Sequence, residues 1–256
     1  MDKGLANKIA IARQEHAQEH RDRIEGRPVL KEGAGKVLEN IVYGANDGII
    51  TTFAVIAGVA GADLSRSIVL IMGFANLVAD GFSMGMSNYL GAQSRLQYEK
   101  AARKKEEWEV LYIPDDERQE VHDIYKARGF TGKLLDSIVD HITSDKQRWV
   151  DDMMLWEFGV HPNESESPAK SGITTFIAFN IAGLLPLLPY VFPIDPAWYF
   201  PVSIAATAFA LFTVGALRSL VTTVEWWRSG LQMLLVGAIA AVAAYGVGAF
   251  LKIIIS

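Results

Sequence analysis

Residues 173–192 read ITTFIAFNIAGLLPLLPYVF and residues 234–251 read LLVGAIAAVAAYGVGAFL, and neither stretch contains a charged side chain. Each stretch is apolar on every side of a helix, whereas a helix at the surface of a soluble protein keeps one polar face. About 20 apolar helical residues cross a hydrocarbon core roughly 30 Å thick. The two stretches therefore predict membrane-spanning helices.

Five stretches of the chain meet this criterion of length and apolarity. They lie at 41–62, 68–92, 173–191, 198–217 and 231–255. Half of the 256 residues are apolar and the mean hydropathy is +0.19, while the charged residues concentrate outside the five stretches. This segregation predicts an all-α integral membrane protein with five transmembrane helices.

Composition also excludes several classes of protein and site. With 24 Lys and Arg against 29 Asp and Glu, the chain has a formal net charge of -5, whereas a nucleic-acid binder would present a basic face. The chain has no cysteine, which excludes disulfides, thiolate metal sites and iron–sulfur clusters. We expect no nucleic-acid partner and no prosthetic group.

The basic residues predict the orientation of the spans, because Lys and Arg beside a span stay in the cytosol. Eight of the 24 lie in the first 36 residues and twelve lie between Ser94 and Lys170. The N-terminus is therefore expected to be cytoplasmic and the C-terminus external. The predicted division is a cytoplasmic N-terminal segment at 1–36, spans one and two at 37–93, a cytoplasmic helical metal-binding domain at 94–169, and spans three to five at 170–256.

The acids of the predicted cytoplasmic domain recur at helical spacing. Glu106 and Glu109 are three residues apart, as are Glu117 and Glu120, so each pair projects from one face of a helix and can chelate a cation. Pro114 separates the two pairs and predicts a break between their helices. The alternative is that these acids simply face water.

Two methionines precede a further acid near the end of this domain. Met153 and Met154 lie four and three residues before Glu157, so a thioether can share a helix face with that carboxylate. Thioether ligands favour transition metals over Mg²⁺ or Ca²⁺, and the set admits Fe²⁺, Mn²⁺, Co²⁺ and Zn²⁺. The alternative is that both methionines fill the core beside neighbouring tryptophans.

Polar residues inside spans one and two are the second group of candidates. Asp47 and Asp80 lie near the span centres, where an acid costs about 2.5 to 3.5 kcal/mol and marks a functional site by default. Asn76, Asp80 and Met84 follow one another at four-residue steps and line one face of span two. The alternative is that these groups only hydrogen-bond neighbouring helices.

Two pairs of glycines accompany these acids. Gly44 and Gly48 flank Asp47 on either side, and Gly81 and Gly85 follow Asp80. Small residues at four-residue spacing let helices approach closely, within a chain or across a dimer.

Five segments together resemble the vacuolar iron transporter family, whose members move Fe²⁺ out of the cytosol. They are YGANDGIITTFAVIAGVAGADLS, FSMGMSNYLGAQS, EEWEVLYIPDDERQEVHDIYKARGF, WVDDMMLWEFGV and PLLPY. The resemblance implies five spans, a homodimer in the membrane lipid with its ion path between the subunits, an inserted cytoplasmic metal-binding domain, and antiport of metal against protons. It also implies path residues at Asp47 and Met84.

The resemblance implies a set of metal ligands in the inserted domain as well. They match Glu106, Glu109, Glu117, Glu120, Met153, Met154 and Glu157.

The chain departs from plant-type members of that family at two positions, where Asn76 and Lys36 replace acids. Both departures bear on proton coupling. Asp80 and Glu39 are the nearby acids that could take over this role.

Two other functions are compatible with parts of the sequence. A membrane-bound di-iron oxidase would use carboxylate-rich helices, but it needs Glu-x-x-His pairs, and neither His122 nor His141 has a Glu three residues before it. A metal-regulated cation channel would use the inserted domain as a sensor. We expect the membrane to be a prokaryotic cell membrane, or a vacuolar membrane in a eukaryote.

Overall fold

The computed structural model describes residues 13–14, 30–161, 167–219 and 224–255, with side chains omitted at 30–34. Most of the predicted N-terminal segment 1–36 lies outside these residues. The described elements are all helical, without a strand. They are α1 (Leu30–Gly61), α2 (Arg66–Tyr112), α3 (Pro114–Ala127), α4 (Gly132–Thr143), α5 (Lys146–Phe158), α6 (Pro168–Val191), a short 3-10 turn (Pro196–Trp198), α7 (Tyr199–Arg218) and α8 (Trp226–Ile255).

Five of these helices are long and apolar enough to cross a membrane, as the sequence predicts. The candidate spans are Gly35–Gly61, Arg66–Tyr112, Pro168–Val191, Pro196–Arg218 and Trp226–Ile255. Three of them begin five or six residues before the predicted span, because the helical backbone continues through polar residues next to the apolar stretch.

Helix α2 is much longer than any bilayer requires. Its 47 residues extend about 70 Å at 1.5 Å per residue, against a hydrocarbon core of about 30 Å. The helix ends at Tyr112, and Pro114 begins α3, because proline lacks the N–H and the freedom that a helix interior needs. The second half of α2 therefore belongs outside the span.

The chain divides into two compact units. The described residues up to Gly85 and from Ile173 onward form the first unit, and Met86–Gly172 forms the second. The first unit contains the apolar helices. The predicted domain at 94–169 lies within the second.

Glycines let α1 and α6 pack at backbone distance in the first unit. A Cβ on Gly44 would lie 2.6 Å from the carbonyl oxygen of Thr175, and one on Gly48 would collide with the backbone of Phe179. Phe179 itself is fully buried. This glycine face of α1 is therefore occupied by α6 of the same chain.

Arg66, the first residue of α2, forms hydrogen bonds with the end of α6. Its Nε donates to the carbonyl oxygen of Tyr190 at 2.7 Å and its Nη2 donates to that of Val191 at 3.1 Å. The guanidinium also lies 5.0 Å from the ring centre of Tyr199. These bonds satisfy carbonyls that the last turn of α6 leaves without a helical partner.

Replacing Gly48 by alanine is expected to destabilise the first unit. The new methyl group meets backbone rather than a flexible side chain, and overpacking of this kind costs about 1 to 3 kcal/mol. Gly246→Ala in α8 is the matched control, because a Cβ there has nothing within 4 Å. A thermal melt in detergent should show a lower melting temperature for Gly48→Ala alone. Equal melting temperatures for the two variants would contradict the close contact.

The second unit has an apolar core of its own. Val121 of α3, Val139 of α4 and Val150 of α5 are buried in one cluster. Arg103 of α2 forms an ion pair with Asp151 of α5 at 2.7 Å. Helix α5 is capped by Asp145 before its first residue and by Gly159 after its last, and the φ of 66° at Gly159 is left-handed and favours glycine.

Candidate metal site

Three glutamates meet where α2 turns into α3. Glu106 and Glu109 lie on the last two turns of α2, and Glu117 lies on the first turn of α3. Each offers a carboxylate oxygen within 4.8 Å of those of the other two. Ile113 alone separates the two helices, and the carboxylates of Glu106 and Glu109 meet that of Glu117 across this junction.

Glu106 is the most informative member of this glutamate cluster. It is fully buried, and neither of its carboxylate oxygens accepts a hydrogen bond within the part of the chain that the structure describes. A buried carboxylate without a hydrogen-bond partner is costly unless a cation or a proton compensates it, and the exposed ammonium of Lys105, 3.5 Å from Oε1 of Glu106, compensates it only in part. The burial of Glu106 therefore favours a cation site over the alternative of acids that simply face water.

The environment of Glu117 is also unfavourable to negative charge. Burial raises the pKa of its carboxyl from 4.5 to about 7, and the nearby carboxylates of Glu106, Glu120 and Glu109 add to the effect. An acid in the first turn of a helix is normally stabilised by the helix dipole, but only by about 0.3 to 1 kcal/mol at the surface. Burial and three like charges outweigh that contribution.

Glu120 and Glu157 extend the cluster on its exposed side. Burial and a hydrogen bond with Glu120 raise the pKa of the Glu157 carboxyl to about 8, and Glu106 and Glu117 also repel its charged form. Two carboxyl groups can share a hydrogen bond when one of them holds a proton. The five predicted glutamates therefore interact electrostatically, with three of them in ligand range.

The two methionines lie in the apolar core of the second unit. Met153 is completely buried and Met154 is 3% exposed, and both belong to the cluster that contains Trp149. This placement is what the core-filling alternative expects. Their role as thioether ligands remains a prediction.

Sequence reasoning overlooked Lys105, which reaches the cluster. Its Nζ lies 2.7 Å from Oε2 of Glu109 and 3.5 Å from Oε1 of Glu106. The sequence does contain a signal for this contact, because Lys105 and Glu109 are four residues apart and that spacing brings side chains together on a helix.

The polar residues of spans one and two also come together. Asp47 is half-buried and close enough to Asp80 for their carboxylates to repel each other. The Asn76 side chain donates a hydrogen bond to Asp80, while the Oδ1 atom of Asn76 is buried without a partner. No arginine or lysine pairs with Asp47 among the residues described.

Met84, Lys36 and Glu39 are the remaining residues that the sequence analysis connects with the transport path. Met84 is half-buried and packs against the apolar cluster that contains Leu77 and Phe179. Lys36 is half-buried, and Glu39 is exposed and lines a groove with Asn46.

The stability of the metal-free protein is expected to fall as the pH rises from about 5 to 8. The pKa of Glu117 lies above its ordinary value, so the folded state binds this proton more tightly than the unfolded chain between those values. A divalent cation that replaces the proton should restore stability, and more so at pH 8 than at pH 5.

Melting curves at pH 5 and pH 8, with and without Mn²⁺, measure this effect. Glu117→Gln should flatten the dependence on pH by on the order of 1 to 3 kcal/mol. The matched control Asp116→Asn removes the preceding acid, which is exposed, and should leave the dependence unchanged. A Glu117→Gln protein with the wild-type pH dependence would contradict the assignment.

Comparison with known proteins gives matches over most of the chain. Residues 38–249 match the model of the VIT family. The chain is 34% identical to "Vacuolar iron transporter 1" of Eucalyptus grandis over 213 residues, which are 83% of this chain and 86% of that protein. It is 33% identical to the Arabidopsis thaliana protein of the same name, covering 83% and 85%, and 34% identical to "Vacuolar iron transporter" of Toxoplasma gondii, covering 84% and 74%.

Proposed function

The chain belongs to the VIT family, and from this membership we propose that it transports Fe²⁺ out of the cytosol. The family supports a metal transporter that crosses the membrane several times, not an enzyme such as a di-iron oxidase. Mn²⁺, Co²⁺ and Zn²⁺ are further candidate substrates, because oxygen and thioether ligands accept all of them.

Capture of the metal begins at the glutamate cluster of the second unit, which acts as the cytoplasmic metal-binding domain. Glu106, Glu109 and Glu117 replace part of the water around the ion, and Glu120 and Glu157 supply further carboxyl oxygens at the exposed side. The observation that carries this step is the burial of Glu106 without a hydrogen-bond partner. Met153 and Met154 are proposed to contribute sulfur after rearrangement of the core.

The ion then passes between the membrane spans. Asp47 and Met84 provide an oxygen and a sulfur ligand, and Asp80 with Asn76 lines the adjacent part of the path. Repulsion between Asp47 and Asp80 supports this step, because a divalent cation or a proton relieves it. Two copies of the chain form a homodimer, with the path between them.

Exchange for protons drives release. A carboxylate ligates metal only when deprotonated, so binding expels protons and reprotonation from the external side weakens the site. The N-terminus lies in the cytosol and the C-terminus outside, as the distribution of Lys and Arg indicates. Asp80 and Glu39 serve the coupling where Asn76 and Lys36 replace acids. The membrane is a prokaryotic cell membrane, or a vacuolar one in a eukaryote.

A panel of metals tests the substrate assignment. The full chain is reconstituted into vesicles, and uptake of Fe²⁺, Mn²⁺, Co²⁺, Zn²⁺ and Mg²⁺ is followed with and without a pH gradient. We expect uptake of Fe²⁺ and exclusion of Mg²⁺. Uptake that never exceeds the external concentration, whatever the pH gradient, would favour a channel.

A further inference from the structure

We propose that Lys105 is a tethered competitor of the metal, which occupies the glutamate cluster when it is empty and sets the metal concentration needed to fill it. The proposal rests on the metal-binding function proposed for the cluster. It adds a residue that tunes affinity without being a ligand.

The geometry places the ammonium group among the predicted ligands. Its nitrogen is within hydrogen-bond distance of Glu109 and forms a longer ion pair with Glu106, which accepts no hydrogen bond. Both acids belong to the trio that lies within ligand range. A divalent cation held by that trio would face the positive charge of Lys105 at close range, so the two cannot occupy the cluster together without strong repulsion.

The position of Lys105 allows it to leave. Its side chain is 58% exposed, whereas those of Glu106 and Glu109 are 1% and 17% exposed. A long, flexible and partly hydrated side chain can swing into water without opening the apolar core. Displacement of Lys105 by an incoming ion therefore needs no unfolding of α2.

A competitor of this kind lowers the affinity for every divalent cation by about the same factor. It does not change the ratio between metals, which depends on the ligands. It does raise the concentration at which each metal binds, so an abundant ion that binds with low affinity fails to fill the cluster. Mg²⁺ is such an ion, because it gives up its water reluctantly.

The test compares two variants that remove the same charge from adjacent positions. Lys105→Met removes the competitor, whereas Lys104→Met removes an exposed lysine that makes no bond to the cluster among the described residues. Mn²⁺ binding to the full chain in detergent is measured at pH 8 by the loss of the free-ion paramagnetic resonance signal. Mg²⁺ binding is measured by its competition with Mn²⁺.

We expect Lys105→Met to bind both ions about threefold to thirtyfold more tightly, and Lys104→Met to bind them less than twofold more tightly. Lys105→Arg keeps the charge and should stay near the wild type. Equal affinities for Lys105→Met and Lys104→Met would overturn the proposal and leave the metal site intact. Absence of Mn²⁺ binding in the wild type and every variant would overturn the metal site itself.

Discussion

Glu106→Gln should lower the affinity for divalent metal about a hundredfold and, at the same time, raise the melting temperature of the metal-free protein. Both effects come from removing the negative charge of Glu106, which destabilises the empty protein but binds the metal. In the empty protein the buried carboxylate of Glu106 has no hydrogen-bond partner and only the longer ion pair with the exposed Lys105, and a neutral amide of similar size removes the cost of burying that charge. With metal present, the same change removes a charged ligand.

Metal titrations and thermal melts of the full chain in detergent measure the two effects. The melting temperature should rise by about 2 to 4 °C, the shift that about 1 kcal/mol produces in a protein of this size. Glu107→Gln is the control, because Glu107 is exposed and pairs with Arg103 rather than with the cluster. A Glu106→Gln protein with lower stability and unchanged Mn²⁺ affinity would identify Glu106 as a structural acid.

Asp47→Asn should reduce transport to below about 1% of the wild-type rate while Mn²⁺ binding at the glutamate cluster stays the same. An acid in a span is tolerated because a travelling cation or a proton neutralises it. An amide has no charge to attract the cation and does not take up the proton. The effect is large because Asp47 has no basic partner among the described residues, so its charge is available to the ion. The variant should therefore still bind metal at the glutamate cluster but fail to move it across the membrane.

Initial rates of Fe²⁺ uptake into vesicles and Mn²⁺ titrations in detergent provide the two readings. Asp63→Asn is the control, since Asp63 lies two residues beyond the end of α1, has a φ of 57° that asparagine tolerates, and is 81% exposed, with its carboxylate paired to Lys252 rather than to the polar residues of spans one and two. It should transport at close to the wild-type rate. Full transport by Asp47→Asn would remove Asp47 from the path.

Helix type and number could be predicted from the sequence because hydrophobic length and periodicity are local signals. The five spans and the break at Pro114 both follow from neighbouring residues. The i, i+3 spacing likewise places two acids on one helix face.

Features that depend on packing between distant residues were harder to predict. Spacing allows Met154 to share a face with Glu157, but burial in the core decides where the thioether lies. The glycines of α1 signal a close contact without naming its partner, which proves to be α6 of the same chain. Lys105 was not predicted because lysines beside acids are common in sequences, and its distance to a buried carboxylate is known only from the structure.

Accumulation of Fe²⁺ against its gradient, driven only by a pH difference, tests the central claim most directly. Vesicles containing the full chain are prepared with equal Fe²⁺ on both sides and an acidic interior, with the membrane potential clamped to zero. We predict that Fe²⁺ enters above the external concentration as the interior loses protons, and that Asp47→Asn abolishes both movements. Equal Fe²⁺ on the two sides while the pH difference persists would contradict proton-coupled transport by this chain.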